Sequence, residues 1–136
     1  MQIEEALRFV DRNHRAMLAT LRADGQPQLS PVTVALDGDG RVVVSTRRTA
    51  MKTRNLLRHP RAWLCVINDG FFGEWAQLEG EAEVVELPEA MEGLEDYYRR
   101  ASGEHPDWDD YRRAMRDEQR VLVRITVDRA GPTVSG

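Results

Sequence analysis

The residues with the clearest chemical potential lie together in one short segment, STRRTAMKTRNLLRHP, at positions 45 to 60. It contains Lys52, the only lysine in a chain that also has eighteen arginines. The change from alternating to helical spacing predicts a helix over residues 50 to 59, with Thr49 as its N-cap and Pro60 as its end. Lys52 then falls in the first turn of this helix.

Cations at the start of a helix are unfavourable unless something binds there. The helix N-terminus already carries about half a positive charge, so each basic residue costs roughly a few tenths of a kcal/mol. A bound anion reverses this balance, because free N–H groups and the helix dipole both favour it. Ser45, Thr46 and Thr49 add hydroxyl donors, and lysine suits a phosphate as a compact point charge. The segment therefore predicts a phosphate site; the alternative is a solvated basic helix face.

The net charge of −4 is unevenly distributed along the chain. Residues 41 to 61 hold six arginines and one lysine with no acid, and so carry +7. Residues 79 to 118 hold fourteen acids against five arginines, and so carry −9. This pattern favours a local anion site over a nucleic-acid surface, which would also need a run of aromatic stacking residues. We therefore expect no nucleic-acid partner.

Other kinds of chemistry find little support in the sequence. His14, His59 and His105 share no metal-ligand spacing with Cys65, so no metal site is predicted. A Ser-His-Asp set and glycine-rich nucleotide motifs are missing. Cys65 stands in the apolar run AWLCVI and is predicted to be a buried core thiol. No stretch is long enough to span a membrane, and the acidic N-terminus lacks a signal-peptide pattern, so we expect a cytoplasmic protein.

Apolar periodicity predicts a mainly β chain with flanking helices. Strands are expected over residues 15–22, 27–37, 41–46, 61–69, 74–87 and 120–128, and helices over 3–13, 50–59, 88–101 and 107–119. Gly80 is a candidate β-bulge and Asp107 a candidate N-cap. Six antiparallel strands favour a β-barrel, because closure removes exposed edges. The 136 residues suit a single domain, with a flexible tail over about residues 129 to 136.

The split-barrel flavoproteins related to pyridoxamine 5′-phosphate oxidase resemble this chain in three segments, GQPQLSPVTV, VVVSTRRTAMKTRNLLRHPRAWLCV and WAQLEGEAEVV. The later stretch YYRRASGEHPDWDDYRRAMRDEQRVLVRI is similar to the branch that uses the deazaflavin coenzyme F420. The resemblance spans about residues 5 to 128. It implies a six-stranded split β-barrel of the FMN-binding type and a homodimer with two cofactor sites at the subunit interface.

The activity that this resemblance implies is hydride transfer from reduced coenzyme F420 to an unsaturated small molecule, such as an enone or a quinone. In such a reaction the cofactor does the chemistry and the protein supplies orientation and electrostatics. Two alternatives fit the same residues. One is an FMN-dependent oxidoreductase of the same superfamily, and the other is a protein that binds the cofactor without turnover.

The resemblance also assigns residues to the site. Its phosphate contacts fall on the segment from the third strand to the helix, at Ser45, Thr46, Arg48, Thr49 and Lys52. Arg47 joins them, because near relatives often carry a basic residue where this chain has Ala50. The flavin-like ring is expected along Ala19, Thr20, Val32, Thr33 and Val34. Further contacts to the ring or the ribityl chain are expected from Trp75, Ala76 and Gln77, although Trp75 could equally be a core residue. The rim of the substrate pocket is assigned to Gln26, Gln28, Trp108 and Tyr111. The alternatives are an ordinary hairpin loop for the two glutamines and a packing role for the two aromatic residues.

Overall fold

The computed structural model describes residues 1 to 132, and residues 133 to 136 lie outside the described part. Within this range the chain forms four helices and seven strands, in the order α1 (Ile3–Arg12), β1 (Arg15–Leu21), β2 (Pro27–Thr33), β3 (Ala35–Leu36), β4 (Val42–Arg47), α2 (Met51–Arg58), β5 (Arg61–Ile67), β6 (Trp75–Val85), α3 (Met91–Ser102), α4 (Trp108–Asp117) and β7 (Arg120–Gly131). The prediction of a mainly β chain with flanking helices is confirmed. None of these four helices has the length and apolar character needed to cross a membrane.

The seven strands form one antiparallel sheet in the order β2-β1-β5-β6-β7-β4-β3. Its two edge strands, β2 and β3, are consecutive in the chain and are separated by Val34 alone. The sheet must therefore curl until its edges meet, which leaves little exposed edge for pairing with another chain.

The prediction of six strands is wrong, because the segment over residues 27 to 37 forms two strands. β2 pairs with β1, and β3 pairs with β4 at the other end of the sheet. At the change of partner, the backbone N–H of Val34 donates to the carbonyl oxygen of His14 at 2.9 Å. The single residue between the strands is thus held by a hydrogen bond of its own.

The core lies on both sides of β4 and β7. Alternate residues of the strands bury an inner core against α1, with Leu18, Leu64 and Leu78 at its centre. Residues on the other face of β4 and β7, such as Val43 and Leu122, pack under α3 and α4. Both strands are therefore covered on two faces, which explains their continuous apolar runs.

The predicted bulge at Gly80 is confirmed by a shift of register between Glu79 and Gly80 in the pairing of β6 with β7. A Cβ atom at Gly80 would collide with the carbonyl group of Thr126. Only glycine allows the two backbones to approach so closely.

The ends of several elements differ from expectation. α2 begins at Met51 with Ala50 as its N-cap and without a side-chain cap, so the prediction of Thr49 as the cap is wrong. Asp107 does cap α4, where its side chain accepts a hydrogen bond from the N–H of Asp110. Residues 129 to 131 of the expected tail belong to β7 and pair with β6, and residues 133 to 136 of that tail lie outside the described residues.

One side of the β2-β1-β5-β6 half of the sheet carries apolar residues that are exposed or half-buried. We call it the outer sheet face, and it comprises Met17, Ala19, Leu29, Trp63, Cys65, Ile67 and Trp75. Leu29 is 63% exposed, although it is one of the larger apolar residues of this face. The prediction of Cys65 as a core thiol is wrong, because the inner core takes the alternate residues of β5. Partial burial still raises the pKa of this thiol.

Candidate functional site

A groove of about 510 Å³ runs between the edge of β2, the end of β4, the start of α2 and the two C-terminal helices. It is lined by Pro31, Val32, Thr33, Ser45, Thr46, Lys52, Tyr97, Tyr98, His105, Asp110, Tyr111, Ala114, Met115, Glu118 and Arg120. A volume of this size suits a small-molecule ligand or cofactor.

The β4–α2 wall of the groove is suited to an anion. Ser45 and Thr46 line the groove at the end of β4, where Ser45 is half-buried and Thr46 is 3% exposed, and Lys52 is the second residue of α2. Within residues 1 to 132, Lys52 forms no ion pair with an acid. Arg120 also faces the groove, but it is bonded to Glu118 at 2.8 Å. Lys52 is therefore the cation of the groove that has no protein counterion in the described part of the chain.

Two buried polar side chains hold α2 in place, and sequence reasoning missed both. Thr53 donates its hydroxyl to the carbonyl oxygen of Arg47 at 2.6 Å. Asn55 donates its amide to the hydroxyl of Thr20 at 3.0 Å. Both residues are fully buried. Thr53 and Asn55 stand two positions apart and flank Leu56 around the helix, so no apolar stripe in the sequence indicates that they are buried.

The opposite wall is aromatic. We call Tyr98, His105, Trp108 and Tyr111 the aromatic cluster; their ring centroids lie 5.0 to 5.9 Å apart. The hydroxyl of Tyr111 donates to the carbonyl oxygen of Leu94 at 2.8 Å. Burial raises the pKa of Tyr111, so its phenol remains neutral at physiological pH.

Tyr97 adds a third phenol to the groove, outside this cluster. Its hydroxyl donates to the carbonyl oxygen of Thr33 at 2.9 Å. Burial raises the pKa of Tyr97 as well. Tyr97 thus links α3 to the end of β2 and helps to fix the distance between two walls of the groove.

Comparison with known proteins places this geometry in a family. The family model described as pyridoxamine 5′-phosphate oxidase matches residues 3 to 133, which is nearly the whole chain. The chain belongs to the pyridoxamine 5′-phosphate oxidase family. The resemblance inferred from the sequence is thereby confirmed at the level of the family.

Three relatives of this family member illustrate the likeness. F420H(2)-dependent biliverdin reductase of Mycobacterium tuberculosis (strain CDC 1551 / Oshkosh) is 27% identical over 126 residues, which cover 93% of this chain and 84% of that protein. A conserved hypothetical protein of Mycobacterium tuberculosis superposes with a TM-score of 0.74 and 27% identity, covering 100% of this chain and 93% of its own. A structure named F420 reductase gives a TM-score of 0.69 at 23% identity, covering 91% and 94% of the two chains, and so shows the fold alone.

The groove of this pyridoxamine 5′-phosphate oxidase family member brings together only some of the residues that the sequence assigned to the site. Those that line it are Val32, Thr33, Ser45, Thr46, Lys52 and Tyr111. They come from β2, β4, α2 and α4, so residues far apart in the sequence do meet. Their role in binding a cofactor stays a prediction.

The two arginines before α2 do not line the groove. Arg48 donates to Glu86 at 2.6 Å and faces a second cavity of about 460 Å³. Arg47 is exposed and lies 3.7 Å from Glu118. Thr49 is also exposed. Acids of the C-terminal half thus already neutralise both arginines, a pairing that the local sequence does not reveal.

The remaining assigned residues lie elsewhere in the fold. Val34 and Ala76 are fully buried in the inner core, and Thr20 is buried behind α2. Ala19 and Trp75 belong to the outer sheet face, which Gln77 borders as an exposed residue of β6. Gln28 accepts from Thr20 at 3.5 Å, and Gln26 lies in the β1–β2 turn. Trp108 packs behind the groove, where its Nε1 donates to Glu104.

The groove suits a ligand that combines a phosphate with a flat ring. Its hydroxyls and its lysine match an anionic group, and its aromatic and apolar walls match a planar one. Among residues 1 to 132 there is no group of three or more side chains that could hold a metal ion. The donor set therefore favours binding and orientation of an organic cofactor.

Proposed function

We propose that this protein is an oxidoreductase that binds reduced coenzyme F420 in the groove and reduces an unsaturated small molecule, such as an enone or a quinone. The observation that carries the proposal is Lys52, which faces the groove beside Ser45 and Thr46 without an acid partner in the described part of the chain. The 27% identity with a reductase named for this coenzyme supports the choice of cofactor.

In this proposal the phosphate lies at the start of α2. The Lys52 ammonium group contacts it, the hydroxyls of Ser45 and Thr46 donate to it, and the first N–H groups of α2 add their dipole. Arg47 and Arg48 act at a distance, because Glu118 and Glu86 already engage them. The ring of the cofactor lies along Val32 and Thr33.

The bound coenzyme supplies a hydride, and this chain supplies orientation and a dry surface. Val32 and Met115 give the groove apolar surface, which excludes water from the reacting atoms. The aromatic cluster offers a flat wall against which a conjugated substrate packs. Positioning of this kind is sufficient for hydride transfer, because the reaction needs no nucleophile from the protein.

A second copy of the chain would complete the groove. Pro31 and Thr33 line it, and they also point to the same side of β2 as Leu29 of the outer sheet face. A homodimer that buries this face would place the partner beside the open edge of the groove. Burial of its apolar residues supplies the driving force for such an association.

Two alternatives remain for this site. An FMN-dependent oxidoreductase would use the same phosphate contacts, since both cofactors carry a phosphate and a flat ring system. A carrier protein would bind the coenzyme and leave it unreacted. Both alternatives retain the role of Lys52, so they differ in cofactor choice and turnover.

Calorimetric titration of the wild type with coenzyme F420 and with FMN tests the cofactor. We expect coenzyme F420 to bind more tightly. Tight binding of FMN without any binding of coenzyme F420 would make the cofactor assignment wrong. Stopped-flow reoxidation of the bound reduced coenzyme by enones and quinones then separates an enzyme from a carrier. An enzyme accelerates this reoxidation relative to the free reduced coenzyme, whereas a carrier does not.

The variant Lys52→Ala tests the site. Loss of one charge-assisted contact, about 1.5 to 3 kcal/mol, should weaken cofactor affinity by about ten- to hundredfold. The thermal stability of the free protein should not fall, because a cation at this position opposes the helix dipole. Lys52→Arg should recover part of the affinity.

The matched control is Arg54→Ala, which removes an exposed cation of the same helix outside the groove. Equal affinities of the wild type, Lys52→Ala and Arg54→Ala would end the assignment of the phosphate to Lys52.

A further inference from the structure

We propose that His105 and Tyr98 together hold the oxygen of a substrate carbonyl, which restricts the substrates of this groove to alkenes conjugated with a carbonyl group, quinones included. The inference rests on the proposed function and names the residues that select its substrate. Both side chains line the groove, and their ring centroids lie 5.0 Å apart.

The tautomer of His105 is fixed by its own loop. The backbone N–H of Asp107 donates to Nδ1 of His105 at 2.9 Å. A nitrogen that accepts from an amide carries no proton, so the proton of the neutral ring is on Nε2. His105 therefore presents an N–H donor to its surroundings.

An inventory of the donors of the groove leaves few that can meet a substrate oxygen. Tyr97 donates to the backbone of Thr33, and Tyr111 donates to the backbone of Leu94. Arg120 is engaged by Glu118. Lys52, Ser45 and Thr46 belong to the β4–α2 wall, which we call the anion wall. Among the described residues that line the groove, Nε2 of His105 and the hydroxyl of Tyr98 are the donors left on the opposite wall.

The two donors stand on a rigid support. Tyr98 packs edge-on against Trp108 and Tyr111 at 5.9 and 5.2 Å between centroids. Trp108 is held in turn by Glu104 and by the Arg99 guanidinium, which lies 4.3 Å above its ring. Donors that are held in place before the substrate arrives stabilise developing charge without having to reorganise.

This arrangement matches the electron flow of a conjugate reduction. The β-carbon of the alkene gains a hydride with its two electrons, and the π pair of the double bond moves to the carbonyl oxygen. The N–H of His105 and the O–H of Tyr98 donate to that oxygen as it becomes negative. Solvent then supplies one proton to the α-carbon. The product is the saturated carbonyl compound, and the reduced deazaflavin has lost two electrons and one proton as hydride.

The test compares His105→Phe, His105→Gln and Tyr98→Phe as complexes with coenzyme F420, with 2-cyclohexen-1-one as substrate. Removal of one such donor should lower kcat by roughly 100-fold or more, while cofactor affinity stays within about twofold of the wild type. His105→Gln should recover part of kcat, because its amide restores an N–H donor near the position of Nε2. A purely structural role for His105 would not be rescued in this way.

The possible results distinguish a failure of this inference from a failure of the proposed function. Reduction of the enone by the wild type, with slow turnover in His105→Phe and Tyr98→Phe, supports the inference. If the wild type reduces the enone and both variants keep its kcat, the inference is overturned and the proposed function stands. If His105→Phe does not fold, Tyr98→Phe carries the test alone, since it removes a single hydroxyl. A wild type that binds no coenzyme F420 overturns the proposed function itself.

Discussion

Asn55 of α2 donates its side-chain amide to the hydroxyl of Thr20 of β1 at 3.0 Å, and both side chains are fully buried. The link fixes the helix that carries Lys52 against the sheet. Arg58 adds to it from the surface by donating to Oδ1 of Asn55 at 3.4 Å. The orientation of the anion wall thus depends on an amide that does not itself line the groove.

Replacement of Asn55 by alanine should lower the free energy of unfolding by about 1 to 3 kcal/mol, because the Thr20 hydroxyl loses its buried partner. Urea unfolding measures the change. Arg54→Ala, an exposed neighbour on the same helix, should change stability by less than about 0.5 kcal/mol. Equal stability of the Asn55→Ala variant and the wild type would show that the buried link contributes nothing.

The proposed homodimer predicts that Leu29→Asp weakens self-association by at least about tenfold, because the change places a charge on the apolar outer sheet face. Light scattering and sedimentation over a range of protein concentrations measure the dimer fraction. Leu57→Asp is the control, since Leu57 is 49% exposed but lies on α2, away from this face. A wild type that is monomeric at micromolar concentration contradicts the dimer.

Gly80→Ala should destabilise the protein by roughly 1 to 3 kcal/mol, because the added methyl group meets backbone atoms that cannot turn aside. Gly131→Ala provides the comparison within the same strand pair, since a Cβ atom there has nothing within 4 Å. Denaturant unfolding of the two variants should separate them clearly. Similar stabilities would mean that β7 shifts freely at the bulge.

The free energy of unfolding should depend on pH because of the ion pair that joins α3 to α4. Arg112 contacts both oxygens of the Glu95 carboxylate at 3.0 Å, and these hydrogen bonds hold the pKa of Glu95 below its ordinary value of 4.5. A lowered pKa in the folded state means that the contribution is fully present above pH 4.5. It is lost as the pH falls through the lowered value.

The variant Glu95→Gln checks this dependence. Its free energy of unfolding should fall below that of the wild type at pH 7, and the difference should close as the pH falls below 4.5 and passes through the lowered pKa of Glu95. Glu92→Gln on the same helix is the control, because Glu92 is exposed and forms no ion pair within residues 1 to 132. A difference in the free energy of unfolding between Glu95→Gln and the wild type that stays constant with pH would exclude ionisation of Glu95 as the cause.

Much of the fold could be predicted from the sequence, because its strands and helices differ clearly in apolar period. The split at Val34 could not, since the two halves of the segment are equally β-like and differ only in their partners. The sequence also did not show which residues of β5 face the inner core. The run AWLCVI is apolar on both faces, so alternation does not decide between Cys65 and its neighbour Leu64.

The candidate site was partly predictable for a similar reason. The cluster of cations at the start of the helix that carries Lys52 consists of residues close together in the chain, so the sequence alone predicts it. The ion pair between Arg48 and Glu86 joins residues that are 38 positions apart, and it draws Arg48 out of the groove. The aromatic cluster requires the packing of two helices and the loop between them. Neither feature leaves a local signal that single-sequence reasoning can detect.

The position of β7 has a consequence for the order in which a newly made chain matures. This last strand lies between β6 and β4, and among the described strands β4 otherwise pairs only with the two-residue β3. Ser45 and Thr46 stand opposite Leu122 and Val121 in that pairing. Before β7 pairs, this wall of the groove has no long partner strand. Pairing between such distant segments closes late. The groove therefore takes its final shape only after β7 has paired with β4.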